Sequence, residues 1–224
     1  TTVEYTGEKQ VFRMVNNGAG DGLEKVTLVS LQGGFGYNGS TGEFAAQAVG
    51  EYTATVKLTD GGQNTQWADG VAGTTRVIKL KITKATLTVT VDDAENLGTS
   101  WEQGTVDKIN LTVSGVRNGE GVKLNVYYTE DGGSPIQVPD SAIVQSGSDI
   151  KITVNLDTFS ANKSYRINVE LASEIPINNN YTLENGFNFD FFILTATVRE
   201  VTGNWQVENL IAGTANGNKI FDGI

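Results

Sequence analysis

The sequence predicts an all-β protein: two tandem β-sandwiches over residues 1–84 and 85–201, and a C-terminal extension over 202–224. Three observations predict it. Apolar and polar residues alternate in short runs, the period of a half-buried strand, and no window of a dozen residues carries a helical stripe. The runs are rich in Val, Ile, Thr and Tyr and are parted by Gly, Asn, Asp and Ser; the chain has 27 glycines and only 3 prolines. Finally, a pattern occurs twice. Tyr52-Thr-Ala-Thr-Val-Lys-Leu58 and Tyr165-Arg-Ile-Asn-Val-Glu-Leu171 share Tyr, Val and Leu in the same places. A polar loop with asparagine and one aromatic follows each (Asn64 then Trp67; Asn178-Asn179-Asn180 then Tyr181), and then another alternating run. The shared order reads as a duplication joined near Lys84-Ala85.

In chain order, strands are expected over 9–14, 25–31, 52–58, 76–82, 86–91, 108–113, 123–128, 150–156, 164–171 and 187–201. A short helical turn is expected around 92–97, and the glycine-rich runs 16–22 and 33–42 read as turns or loops. Those runs lack the strand-to-helix context and the lysine of a phosphate loop. The two repeated tyrosines have a physical reading. In immunoglobulin-type sandwiches a tyrosine near the start of the sixth strand packs its ring inside and bonds its hydroxyl to backbone just upstream. Tyr52 fits, with Gly50 permitting a tight approach, and Ala54 stands where an antibody domain places a cysteine. Tyr165 is the matching position in the second copy.

The stretch Gly50-Glu-Tyr-Thr-Ala-Thr-Val-Lys-Leu-Thr-Asp60, Asn64, Trp67-Ala-Asp-Gly70 and Ile82-Thr-Lys-Ala85, with the opening Tyr5-Thr6-Gly7, resembles the immunoglobulin-like repeats of bacterial cell-surface, adhesin-type proteins. The resemblance covers residues 3–85 and departs at Thr65-Gln66 and in the glycine-rich 15–22. Residues 86–201 keep only the general pattern. Similar modules occur in phage virion proteins. The resemblance implies an extracellular module without catalysis and without a fixed ligand.

Composition narrows the function. Sixteen basic against 26 acidic residues give a net charge of −10, which opposes binding to nucleic-acid phosphates and anionic membranes. No apolar run is long enough to insert into a bilayer. Cysteine and histidine are both absent, which removes thiolate nucleophiles, zinc sites built on thiolate or imidazole, a Ser-His-Asp triad and the usual general base. No disulfides and no leader segment are expected.

Several residues remain as candidates. Trp67 either folds back to cap one end of the first sandwich or, with Trp101 and Tyr181, offers a stacking platform for sugar rings. The acid pairs Asp92-Asp93 and Glu130-Asp131, and Asp190 near Glu184, read as solvated turn charges rather than a glycosidase pair, since nothing places them across a cleft. No cofactor is expected; calcium at Asp92, Asp93 and Glu95 is the nearest thing to a metal site, although the spacing is not that of a dedicated loop. An isopeptide bond needs an inward lysine, and alternation turns Lys79, Lys81 and Lys123 outward. Glycosylation triplets stand at Asn38, Asn110, Asn162 and Asn180. The extension carries Trp205, Val207, Leu210 and Ile211 and is too apolar for a disordered tail. It reads as an extra strand, the opening of a third module, or a strand donated to a neighbour.

The function these readings predict is a non-catalytic spacer or binding stalk of a bacterial surface protein, extracellular, contacting other modules or subunits and a host glycan or protein. The alternatives are a self-assembling virion or filament subunit joined through 202–224, and a carbohydrate-binding accessory module.

Overall fold

The computed structural model describes residues 1–13, 26–59, 66, 67, 69, 73–92, 94, 98–184 and 187–196. Its strands, in chain order, are β1 (Thr2–Glu4), β2 (Gln10–Arg13), β3 (Val26–Gln32), β4 (Gly36–Asn38), β5 (Glu43–Ala46), β6 (Gly50–Leu58), β7 (Thr75–Thr83), β8 (Ala85–Val91) and β9 (Ser100–Glu102). They continue with β10 (Lys108–Ser114), β11 (Leu124–Glu130), β12 (Ile136–Gln137), β13 (Ile143–Ser146), β14 (Asp149–Asn155), β15 (Lys163–Leu171), β16 (Tyr181–Leu183) and β17 (Phe187–Leu194). The protein is all-β, as the alternation predicts.

The first seven strands form two sheets, β1-β7-β6-β3 and β2-β5-β4. Strands two, five and four against seven, six and three is the immunoglobulin order, with the first strand moved to run parallel beside β7. The remaining strands repeat the plan, as β13-β14-β10-β8-β16 facing β12-β11-β15-β17-β9. Among the described residues no strand pairing crosses Lys84, the single residue between β7 and β8.

Alternation decides which side chains fill each core. Along β6, Tyr52, Ala54, Val56 and Leu58 are buried, and register brings Tyr52 opposite Leu80 and Ala54 opposite Ile78. Phe35, Phe44 and Tyr52 pack ring against ring, with centroids 5.3 and 5.6 Å apart. In the second sandwich Leu111 and Val113 of β10 lie opposite Ile152 and Ile150 of β14, and Trp101, Phe159, Tyr165 and Phe191 form the aromatic centre. Burying such side chains is the main stabilising term, about 1.5–3 kcal/mol each.

Both repeated tyrosines close a corner. Tyr52 donates from its hydroxyl to the Ala48 carbonyl at 2.6 Å. The Tyr165 oxygen accepts from the Ser160 amide at 2.7 Å, and its hydroxyl donates to Glu130 at 2.9 Å. Gly50 is not what permits the first corner: a Cβ there would meet the Tyr52 hydroxyl at 3.5 Å, ordinary contact. The glycine that is sterically required nearby is Gly33, at φ +77°, where a Cβ would stand 2.4 Å from the Glu51 carbonyl oxygen.

Other expectations shift. The run 33–42 is not only turn, because β4 and the buried Phe35 lie within it. The last strand stops at Leu194 rather than running on through Thr195 and Ala196. The turn expected at 92–97 and the glycine run 16–22 fall largely or wholly outside the described residues.

Candidate functional site at the junction of the two sandwiches

Two tyrosines meet where β7 passes into β8. Tyr5 follows β1, and its amide donates to the Thr83 carbonyl at 2.9 Å, which fixes it at the exit of β7. Tyr181 opens β16 and lies opposite Ala85, the first residue of β8. Strand register alone therefore brings residues 176 positions apart in the chain to the two sides of Lys84. The rings meet edge to face, 5.7 Å between centroids and 85° between planes, a favoured aromatic geometry.

Buried phenols need partners, and one carboxylate serves both. The Tyr5 hydroxyl donates to Oε1 of Glu120, and the Tyr181 hydroxyl donates to Oε2 at 2.5 Å. The Arg117 amide donates to the Tyr181 oxygen at 3.0 Å. Glu120 is itself held: its amide donates to the Arg117 carbonyl at 2.9 Å, and Gln145 donates to its carbonyl at 2.7 Å. Burial first, and the Glu120 carboxylate second, push the Tyr181 phenol from 10.0 up to about 12. The same two causes push Tyr5 up as well.

A rim surrounds this centre. Arg117 Nη2 donates to Glu4 at 2.6 Å, Asn118 Nδ2 to Glu8 at 2.8 Å, and the Val49 amide to Asn180 Oδ1 at 3.1 Å. Gly7 lets the surfaces close. It has φ +79°, and a Cβ there would stand 2.8 Å from Asn118 Nδ2 and 2.9 Å from Arg117 Cβ. The arrangement has no reacting centre to offer; it can fix two bodies against each other.

The ligand-stacking candidates fare differently. Trp101 is buried with its ring 5.1 Å from Phe191 and nearly parallel to it. Tyr181 is wholly buried at the junction. Neither has a face left for a sugar, because β9 pairs beside β17 and β16 beside β8, which turns both rings into the core. Trp67 is half-buried against the first core, with the Arg76 guanidinium 5.3 Å above its ring. Arg76 in turn pairs with Asp69 at 2.8 Å.

Of the calcium candidates, Asp92 accepts from Thr112 at 2.7 Å and has Lys151 Nζ at 3.7 Å, so a cationic neighbour already stands at its carboxylate. Asp93 and Glu95 lie outside the described residues, as do Trp205, Val207, Leu210 and Ile211. Among the described residues no group of three or more acidic side chains is placed to hold a metal. The other acids are engaged with strands: Asp131 with Lys163 and the Ser164 amide, Asp190 with Arg166, Glu184 with Thr88. Lys79, Lys81 and Lys123 are exposed, as alternation predicts. Sequence reasoning missed Glu120, Arg117 and Asn118. The run Asn118-Gly-Glu-Gly121 reads only as a turn, and Tyr5 stands out only as part of an opening motif.

No protein-family model matches the sequence, and no curated protein matches it. Among solved structures, the chain is similar to the I9–I11 tandem of titin, at 12% identity over 88% of this chain and 63% of that one, TM-score 0.30. It is similar to the Yersinia pseudotuberculosis adhesin InvE at 16% identity over 85% of this chain and 56% of that one, TM-score 0.28. A purple acid phosphatase from yellow lupin seeds matches at 10% identity over 67% of this chain and 26% of that one, TM-score 0.22. The chain thus spans less than two thirds of the length of each. At these scores the likenesses add nothing to the strand order, which carries the immunoglobulin-like assignment by itself. Among the described residues no helix is long and apolar enough to cross a membrane.

Proposed function

We propose that this chain is a non-catalytic structural module, a stiff two-sandwich spacer within an extracellular surface protein of the adhesin or stalk kind. The observation that carries the reading is the junction. A one-residue linker alone limits interdomain freedom, but an interface of packed rings, a shared carboxylate and rim pairs removes it. A spacer needs that and little else. Its sandwiches carry load through sheet ladders, and its outer faces are free to vary with the partner. The acidic surface, net −10, keeps such a rod soluble and unattached to nucleic acid.

The test removes the shared acceptor. Glu120→Ala takes the shared acceptor away from two buried hydroxyls while leaving the apolar cores of both sandwiches unchanged in sequence. Small-angle X-ray scattering of the variant is expected to need a wide ensemble of interdomain angles where the parent needs one shape. Equal profiles for the two proteins would sink the reading that this contact sets stiffness.

A further inference from the structure

The outer face of the second sandwich carries an open cleft of about 820 Å3, and none of its lining residues takes part in the junction. Alternation builds it. On β17 Phe191 and Ile193 are buried, so Asp190 and Phe192 face outward. On β15 Tyr165 and Ile167 are buried, so Ser164 and Arg166 face outward. Register sets the outward residues in two rows. Thr129, Arg166 and Asp190 run across β11, β15 and β17, and Ser164, Phe192 and Ser100 run across β15, β17 and β9. Asp131 and Gly132, just after β11, flank the rows on one side. Thr99 flanks them on the other, its carbonyl accepting from the Phe192 amide at 2.9 Å. Phe192 is half-buried and stands outside the core cluster, and the serines beside it are too small to cover its ring.

The lining has a definite chemistry. Arg166 grips Asp190 with two parallel bonds, Nε to Oδ1 at 2.6 Å and Nη2 to Oδ2 at 3.1 Å. Asp131 accepts from Lys163 at 2.6 Å and from the Ser164 amide at 3.0 Å. Each charge in the lining thus has its counter-charge, and the cleft offers an ion no net attraction. The net −10 of the whole chain opposes anions further. By contrast, the hydroxyls of Thr99, Thr129 and Ser164 carry no hydrogen bond to protein among the described residues. The ion pair also keeps bonding capacity at the surface, with the Arg166 and Asp190 side chains 54% and 61% exposed. A ligand that matches is neutral, has an apolar face for the ring, and has several groups that both donate and accept. A sugar ring has all three. The volume lies within the range of about 300–1,000 Å3 usual for small-molecule sites.

We propose that this cleft binds a short neutral saccharide. Phe192 lies under the C–H face of one sugar ring, and Thr129, Ser164, Arg166 and Asp190 bond its hydroxyls. The site is separate from Trp101 and Tyr181, whose rings are spent on the core and the junction. This inference is independent of how stiff the junction is.

The test is an amide NMR titration of the full chain with lactose, maltose and cellobiose, each to about 20 mM, which fills a site whose Kd is about 1 mM. Two variants accompany it. Phe192→Leu keeps the apolar bulk and removes the flat ring, and Thr129→Val keeps the side-chain shape and removes one hydroxyl. At least one of the three sugars is expected to shift amides at 99, 129–132, 164–166 and 190–192. Phe192→Leu should weaken that binding about tenfold, and Thr129→Val should weaken it by a smaller factor. No shift with any of the three sugars, shifts confined to other parts of the chain, or binding unchanged in both variants would each overturn the proposal.

Discussion

Glu120 is the residue on which the junction turns, and its role is chemical rather than steric. A single carboxylate with two oxygens satisfies two buried phenols from opposite sides of Lys84. Hydrogen bonds to a charged acceptor are the strong kind. Tyr181→Phe keeps the ring and deletes the bonds to Glu120 and the Arg117 amide, and is expected to lower stability by about 1.5–3 kcal/mol in urea denaturation. Alkali makes the same point without mutation. The folded state holds the Tyr181 proton up to about pH 12, whereas the unfolded chain releases it near 10.0. The folded state therefore binds more protons in that window, so stability is full below pH 10 and falls as pH rises toward 12. Tyr181→Phe should lessen that fall without abolishing it, because burial raises Tyr5, Tyr52 and Tyr165 as well; thermal melts at stepped pH would read the difference. The rim ion pair Arg117–Glu4 is partly exposed, and solvent screening makes it a smaller contribution.

At the scale of elements, the alternating strands were legible and the short ones were not. β6, β7, β10, β14 and β15 run seven to nine residues, long enough for period two to stand out. β1, β4, β9, β12 and β16 are two or three residues each, too short to show any period, and their pairing is set by where the long strands leave room. That is why Trp101 and Tyr181 read as free aromatics. Each sits on a short strand that only the assembled sheet creates. The tyrosine corners were legible because the hydroxyl's partner is local in sequence, Ala48 for Tyr52. Glu120 was not, because its partners lie 115 and 61 residues away. The strands carry a stability prediction of their own. Leu111→Ala, on the covered strand β10, should cost about 2–5 kcal/mol in chemical denaturation, as large core truncations do. Val144→Ala, on the exposed face of β13, should fall within about 0.5 kcal/mol of the parent.

At the scale of the whole molecule, two sheet pairs meet at one contact, built around Tyr5, Tyr181 and Glu120. The second copy spends its long connection between β15 and β17 on building that contact: a 3-10 turn, with buried Asn178 bonded to the Lys123 and Ala172 carbonyls, delivers β16 and Tyr181 to the junction. The first copy uses the same connection to bring Trp67 under Arg76. If the joint is rigid, the cysteine-free background allows that to be measured directly. Lys57→Cys and Lys108→Cys place one spin label on an exposed position of each sandwich, toward the end away from the junction. Pulsed electron–electron resonance between them is predicted to give one narrow distance distribution, broadened by Glu120→Ala. A broad distribution in the parent protein, unchanged by that substitution, would mean that the joint is loose and that Glu120 does not set it.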